Sequence, residues 1–167
     1  METVLDSWKT VRQDTGQAVR EFPAAELDYF KPVAEVMTFR EIARHMLEAG
    51  HTLTGLLLDV ENMATPQFRD RLQKYIAELP STPDAPALAQ TLRQGIERRT
   101  AQLGPQPAEF FAHVITRFDG QQVTRLEMMP FAKEHELTRR AQWFLYSRLK
   151  AVVPVTTRCR LAKQPKA

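Results

Sequence analysis

Glu134-His135-Glu136-Leu137-Thr138-Arg139-Arg140-Ala141-Gln142 is the stretch on which the reading of this chain turns, together with Thr38-Phe39-Arg40-Glu41-Ile42-Ala43-Arg44-His45-Met46 nearer its start. Each carries one histidine on a helical pattern. Two histidines at i and i+4 share a helix face and can hold a metal together. The i+4 position after His135 is Arg139, a fixed cation with no lone pair to donate. The segment therefore reads as half of a metal clamp whose other half has been replaced. His45 lies at the edge of the stripe made by Ile42 and Met46, so it is expected to face a helix partner rather than bulk solvent.

Working outward, four long amphipathic segments dominate. The first carries Val4, Trp8, Val11, Thr15, Ala18 and Phe22 at helical spacing and closes at Pro23. The second opens at Thr38, where Thr38-Phe39-Arg40-Glu41 spells a capping box. Its stripe runs through Gly50 and Gly55, each unfavourable by up to about 1 kcal/mol relative to alanine, which calls for a packing reason or a kink. Pro66 opens a shorter segment with Phe68, Leu72, Tyr75, Ile76 and Leu79 on one side. A third long helix, with Leu88, Leu92, Ile96, Arg99 and Leu103, is expected to end at Gly104-Pro105 by glycine-proline stop chemistry. Between about Phe110 and Met129, β-branched runs flank Asp119-Gly120, a hairpin signal. Pro130 is read as opening the last helix, from about Phe131 to Lys150. The fold class that follows is all-α: an antiparallel four-helix bundle with a crossover connection and a short hairpin-like insertion before the last helix. The bundle is expected over residues 1–157, with a basic tail at 158–167.

Composition excludes several functions. A chain of 167 residues with 43% hydrophobic and 26% charged residues is one ordinary globular domain. No apolar run approaches the ~18 residues of a membrane span, and the acidic start Met1-Glu2 is unlike a signal peptide. A cytoplasmic protein is the expectation, and the single cysteine, Cys159, fits a reducing compartment. The net charge of +3 resides in the tail: Arg158, Arg160, Lys163 and Lys166 account for four of 23 basic residues, leaving 19 against 20 acidic ones. A basic tail supports weak, salt-sensitive contact with nucleic acid, not specific recognition. No dinucleotide fingerprint, phosphate-binding glycine loop or nucleophile elbow is present.

The two quoted segments, and the order and spacing of the four helices, resemble the DinB-like (damage-inducible, YfiT-like) four-helix-bundle superfamily over nearly the whole chain. The resemblance implies a divalent metal, nickel or zinc, held by three histidines, one from the second helix and two at i and i+4 on the last. Carried onto this sequence, His45 and His135 take two of these positions and Arg139 takes the third, which it cannot fill. Characterised relatives imply metal-dependent chemistry on low-molecular-weight thiols, and homodimers formed through bundle faces. Trp143, Phe144 and Tyr146 suit such a face and suit a core equally.

Other side chains bear on the gap. His51 lies about 240° round the helix from His45 and is expected to point elsewhere. His113 falls in the insertion. Glu41 and Glu48 flank His45 at i−4 and i+3, within reach of the same site, either as a carboxylate ligand or as an ion-pair partner of Arg139. Two readings stay open. In the first, His45 and His135 with a carboxylate hold a metal, Arg139 and Gln142 anchor an anionic substrate, Tyr146 lines the pocket, and the protein is a metal-dependent thiol transferase or hydrolase-like enzyme. In the second, Arg139 has displaced the metal, and the bundle binds a small anion or a protein partner without catalysis.

Overall fold

The computed structural model describes residues 2–163. Seven helices and one hairpin follow in chain order: α1 (Glu2–Glu21), α2 (Phe39–Asp59), α3 (Phe68–Ala77), α4 (Ala85–Leu103), α5 (Ala108–Ala112), β1 (Val114–Thr116), β2 (Gln122–Thr124), α6 (Arg125–Leu149) and α7 (Val155–Ala162). The four long helices, α1, α2, α4 and α6, form the expected bundle, in the circular order α1–α4–α2–α6.

Pairwise contacts give the directions. Trp143 Nε1 donates to Phe39 O and Arg125 Nε donates to Leu57 O, both at 3.0 Å, so α2 and α6 are antiparallel. Gly16 approaches Ala89 while Leu5 and Thr100 share a cleft at the other end, so α1 and α4 are antiparallel too. By contrast, Lys133 reaches Ser7 and Arg140 reaches Asp14, which makes α1 and α6 parallel. Leu47 faces Gly95 and His51 meets Arg99, which makes α2 and α4 parallel. The chain thus runs up, down, down, up, and the parallel α2/α4 pair requires a return leg. That leg is α3, which lies antiparallel on α2: Tyr75 Oη donates to Gly55 O at 3.2 Å and Glu78 meets His51. Arg40 and Arg44 then hold the loop into α4, donating to the carbonyls of Thr82 (2.7 Å), Pro83 (3.2 Å) and Pro80 (3.1 Å).

The helix starts are chemically explicit. Thr38 caps α2 with a capping box closed by Glu41, and Asp84 caps α4. Gly50 and Gly55 have the packing reason the sequence called for. A Cβ at Gly50 would meet the Arg12 guanidinium at 2.6 Å, and one at Gly55 would meet the Tyr75 ring at 2.5 Å.

The last helix starts earlier than Pro130. Thr124-Arg125-Leu126-Glu127 is a second capping box, so α6 begins at Arg125 and carries Pro130 inside it. Proline there lacks the N–H that would bond the carbonyl four residues back, and the cap and the packing of Met128, Met129 and Ala132 outweigh that loss. Gly104 also differs from expectation: its φ of −53° is right-handed, so α4 is stopped by Pro105 rather than by a left-handed glycine. The hairpin is as expected, with Ile115 paired to Val123 and Gly120 at φ +83° in its turn. α7 packs on α1 through Arg158, whose guanidinium donates to Glu21 at 2.6 Å. Lys166 lies outside the described residues. Cys159 is exposed. No helix among the described residues is long and apolar enough to cross a membrane.

One core end is an aromatic stack, with Phe39 between Phe22 (centroids 3.8 Å apart) and Trp143 (4.6 Å). Trp143 and Tyr146 are buried there and Phe144, partly buried, packs against the same cluster, so the three aromatics serve the core.

α6 ends in a Schellman motif: Val152 N–H donates to Ser147 O at 2.8 Å and Ala151 N–H to Arg148 O at 3.0 Å. The left-handed position, φ 59°, is held by Ala151 rather than glycine. Ala151→Gly is expected to raise the unfolding free energy by about 1 kcal/mol, read from urea denaturation; an unchanged or lowered midpoint would contradict that reading of the cap.

Candidate functional site

His45 and His135 do meet. Their Nε2 atoms lie 3.0 Å apart, with the rings inclined at 71°. One imidazole donates its Nε2 proton and the other accepts, which places the second ring's proton on Nδ1. Burial is the main reason both histidines titrate low. His135 is pushed down to about 4, with the charges of His45 and Arg139 adding to the effect. His45 is lowered by burial and by Arg139, partly opposed by Glu48. At neutral pH the pair is uncharged.

The rotation of α6 that aims His135 at α2 is set by the next residue. Glu136 is buried against α1, where Arg12 contacts it at 2.7 Å (Nε to Oε1) and donates from a terminal nitrogen to Oε2 at 2.9 Å. Trp8 Nε1 donates to Oε2 at 2.8 Å, and the Thr15 hydroxyl lies 3.3 Å from Oε1. Adjacent helical residues point about 100° apart, so fixing Glu136 on α1 fixes His135 toward α2. Nothing in the sequence reading flagged Glu136, although a buried carboxylate facing Trp8 and Arg12 at i and i+4 was its available signal.

The carboxylates expected near His45 are otherwise engaged. Glu41 is exposed and turned back to its own cap, where Thr38 N–H donates to it at 2.6 Å. That bond also lowers its pKa. Its capping role removes it from the site. Glu48 lines the pocket beside His45 and accepts from Arg44 Nε at 2.7 Å. The expected ion pair of Arg139 with Glu41 or Glu48 is therefore absent; Arg139 donates instead to Gln142 Oε1 at 3.0 Å. Its Nε is buried without a hydrogen-bond partner among the described residues. Tyr146 donates to Met37 O at 3.0 Å, near the aromatic core end, and does not line the pocket. Thr138 is exposed and bonds back to Glu134 O. His51 points away from the pair, as expected, to Glu78 (3.0 Å) and Arg99 (2.9 Å). His113 pairs with Glu61 at 3.2 Å on the surface.

The histidine pair opens into a pocket of about 250 Å³. Its polar groups are His45, His135, Glu48 and Thr52, and its walls are Leu53 on α2 and Phe68, Leu72 and Ile76 on α3. The α3 wall was visible in the sequence as a stripe at i, i+4 and i+8, read there only as a packing side.

The donor set can be tested against a metal. At the 2.0–2.1 Å bonds usual for imidazole, an Nε2–Nε2 separation of 3.0 Å corresponds to about 94° at a shared ion. Two adjacent ligand positions thus fit. A third does not: among the described residues no further His, Cys, Asp or Glu joins the pair in a three-ligand group, and the third place on the helix face is a guanidinium. The residues present do not make a closed three-ligand centre.

The up-down-down-up bundle that carries the facing histidines is a fold shared with known proteins. The profile described as DinB family matches residues 1–166, and the chain belongs to that family. Its fold is similar to the crystal structure of a DinB-like protein, YjoA, from Bacillus subtilis, with a TM-score of 0.70 over 89% of this chain and 92% of that one, at 20% identity. No curated protein matches the sequence.

Two expectations follow. Glu136→Gln leaves Arg12 buried without its counter-ion and should cost about 3–5 kcal/mol in urea denaturation; a loss below 1 kcal/mol would show the pair to be dispensable. His135 takes a proton near 6.5 when unfolded but only near 4 when folded, so the unfolded state binds more protons in that window. Stability should fall as pH drops from about 6.5 to 4, by up to roughly 3 kcal/mol from this residue. Denaturation at pH 7, 5.5 and 4 should show a smaller loss for His135→Gln than for the parent; equal losses would contradict the assignment.

Proposed function

We propose that the His45–His135 pocket is a metal-independent binding site for a small amphipathic anion, such as a short-chain carboxylate or a thiol-bearing acid. The observation that supports this reading is Arg139: a guanidinium one turn from His135, its Nε buried and unpartnered among the described residues, its charge felt by both imidazoles. Arg139 is not among the residues lining the pocket, so it would act on a ligand through its charge, favouring an anionic headgroup that accepts from an imidazole N–H. The ligand's apolar part would lie on Leu53, Phe68, Leu72 and Ile76. Gln142 holds the far side of the Arg139 fork, a positioning role rather than a contact with ligand.

The histidines couple this binding to protons. Two neutral imidazoles beside a fixed cation resist protonation, and an anion would reverse that by stabilising the imidazolium. Binding should therefore take up protons and tighten as pH falls from 7 to 5.

The 3.0 Å spacing favours a second reading, a two-histidine metal centre of a thiol transferase-like enzyme with its remaining positions open to water. Calorimetry with a short alkylsulfonate, whose own charge is constant over this range, tests the first. It should bind more tightly at pH 5 than at pH 7, and Arg139→Gln should weaken it at least tenfold. Pair that with metal analysis by plasma mass spectrometry on untagged protein purified without chelators. About one equivalent of nickel or zinc, lost in His45→Ala, would overturn the anion reading in favour of the metal one. Arg139→His should gain metal affinity that the parent lacks.

A further inference from the structure

The apolar row on α3 gives the histidine pocket a direction. Glu78 meets His51 and Tyr75 Oη donates to Gly55 O, so α3 and α2 pass each other in opposite senses. His45 therefore lies toward the Ile76 end of the row, and Phe68 is its member farthest from the imidazoles. The row from Ile76 back to Phe68 spans about 12 Å of helix.

Phe68 is also where the pocket stops. Beyond it lies a second, wider space of about 530 Å³, lined by the α2–α3 connection and the hairpin turn. Among the described residues Phe68 alone lines both spaces. Its ring is backed as a partition: the Phe118 centroid is 5.7 Å away, and Phe131 lies 5.6 Å behind Phe118. The α2–α3 connection is tied to the same hairpin, with Met63 N–H donating to Thr116 O and Thr116 N–H to Glu61 O, both at 2.8 Å. Met63, Pro66 and Phe118 continue the apolar surface past the ring, while the charged members of the second space, Arg69 and Asp119, are exposed.

We infer that Phe68 is the specificity-determining residue of this pocket: its ring ends the path of the ligand's apolar tail, so the site takes short- and medium-chain anions and rejects long-chain ones. The inference rests on the anion reading of the His45–His135 site. With the headgroup at the imidazoles, each methylene added along the α3 row buries more apolar surface and should raise affinity about fourfold. Once the tail meets the ring, a further methylene finds no room and the gain ends.

Calorimetry at pH 5 with straight-chain sulfonates, from ethane- to decanesulfonate, reads the tail length directly. In the parent, affinity should climb and then break off within the series. Phe68→Ala joins the two spaces, so the break should move to longer tails. Decanesulfonate should bind it at least about tenfold tighter than the parent, and ethanesulfonate within about twofold of the parent. Phe68 packs against the second core cluster, so Phe68→Leu, which keeps an apolar side chain there, runs beside it and should show a smaller shift of the same sign. A break at the same length in the parent and both variants, or no break in the parent, would overturn the role of Phe68 while leaving the anion site in place. No binding of any sulfonate to the parent would overturn the anion reading itself, and this inference with it.

Discussion

The buried carboxylate of Glu136 holds the arrangement on which the rest depends. α6 carries polar residues on several sides through its first half, so hydrophobic burial alone defines its rotation poorly. Arg12, Trp8 and Thr15, spaced along one face of α1, converge on Glu136 and remove that freedom. The parallel α1/α6 contact is thereby oriented by charge and hydrogen bonds as much as by packing. His135, one residue earlier, is turned to α2 as a consequence, and the imidazole pair exists because of a contact on the adjacent face of the helix. Gly50 belongs to the same constraint, since any side chain there would collide with the Arg12 guanidinium.

Much of the fold was legible because long helices announce themselves through apolar spacing and caps. The stripes of α1, α2 and α4 and the Thr38–Glu41 cap lie where the pattern places them. The start of α6 was misplaced by trusting proline as a boundary over Thr124–Glu127, which repeats the same cap chemistry. Proline at an interior position is a local penalty of a few kcal/mol, and a capped, well-packed 25-residue helix absorbs it. Helix directions were only half legible. The antiparallel reading describes the α1/α4 and α2/α6 pairs, while the parallel α1/α6 and α2/α4 neighbours are fixed by long-range contacts such as Lys133 with Ser7.

The site was legible in part for a similar reason. His45 and His135 carry their own signal through position on a helix face, and the structure brings them together. Glu41 illustrates the opposite: one carboxylate was given two roles, cap and pocket, and geometry permits one. Arg139 was expected to pair with Glu41 or Glu48, while its partner, Gln142, is a neighbour at i+3 rather than an acid across the bundle. The Arg99–His51–Glu78 cluster escaped notice because its members come from three different elements, with no shared periodicity to connect them.

The return leg α3 has one face on the histidine pocket, through Phe68, Leu72 and Ile76, and another on the polar cluster, where Tyr75 bonds Asp59 and the chain continues to Glu78. Tyr75 belongs to the second core cluster, with Phe68 and Leu72 packed against it, while the aromatic stack at the other core end lies apart from α3. One short helix is thus both a structural member, through Tyr75, and a wall, through Phe68, Leu72 and Ile76. Changes on the wall that spare Tyr75 would alter the pocket's shape while the histidines, their supporting carboxylate and the frame stay as they are.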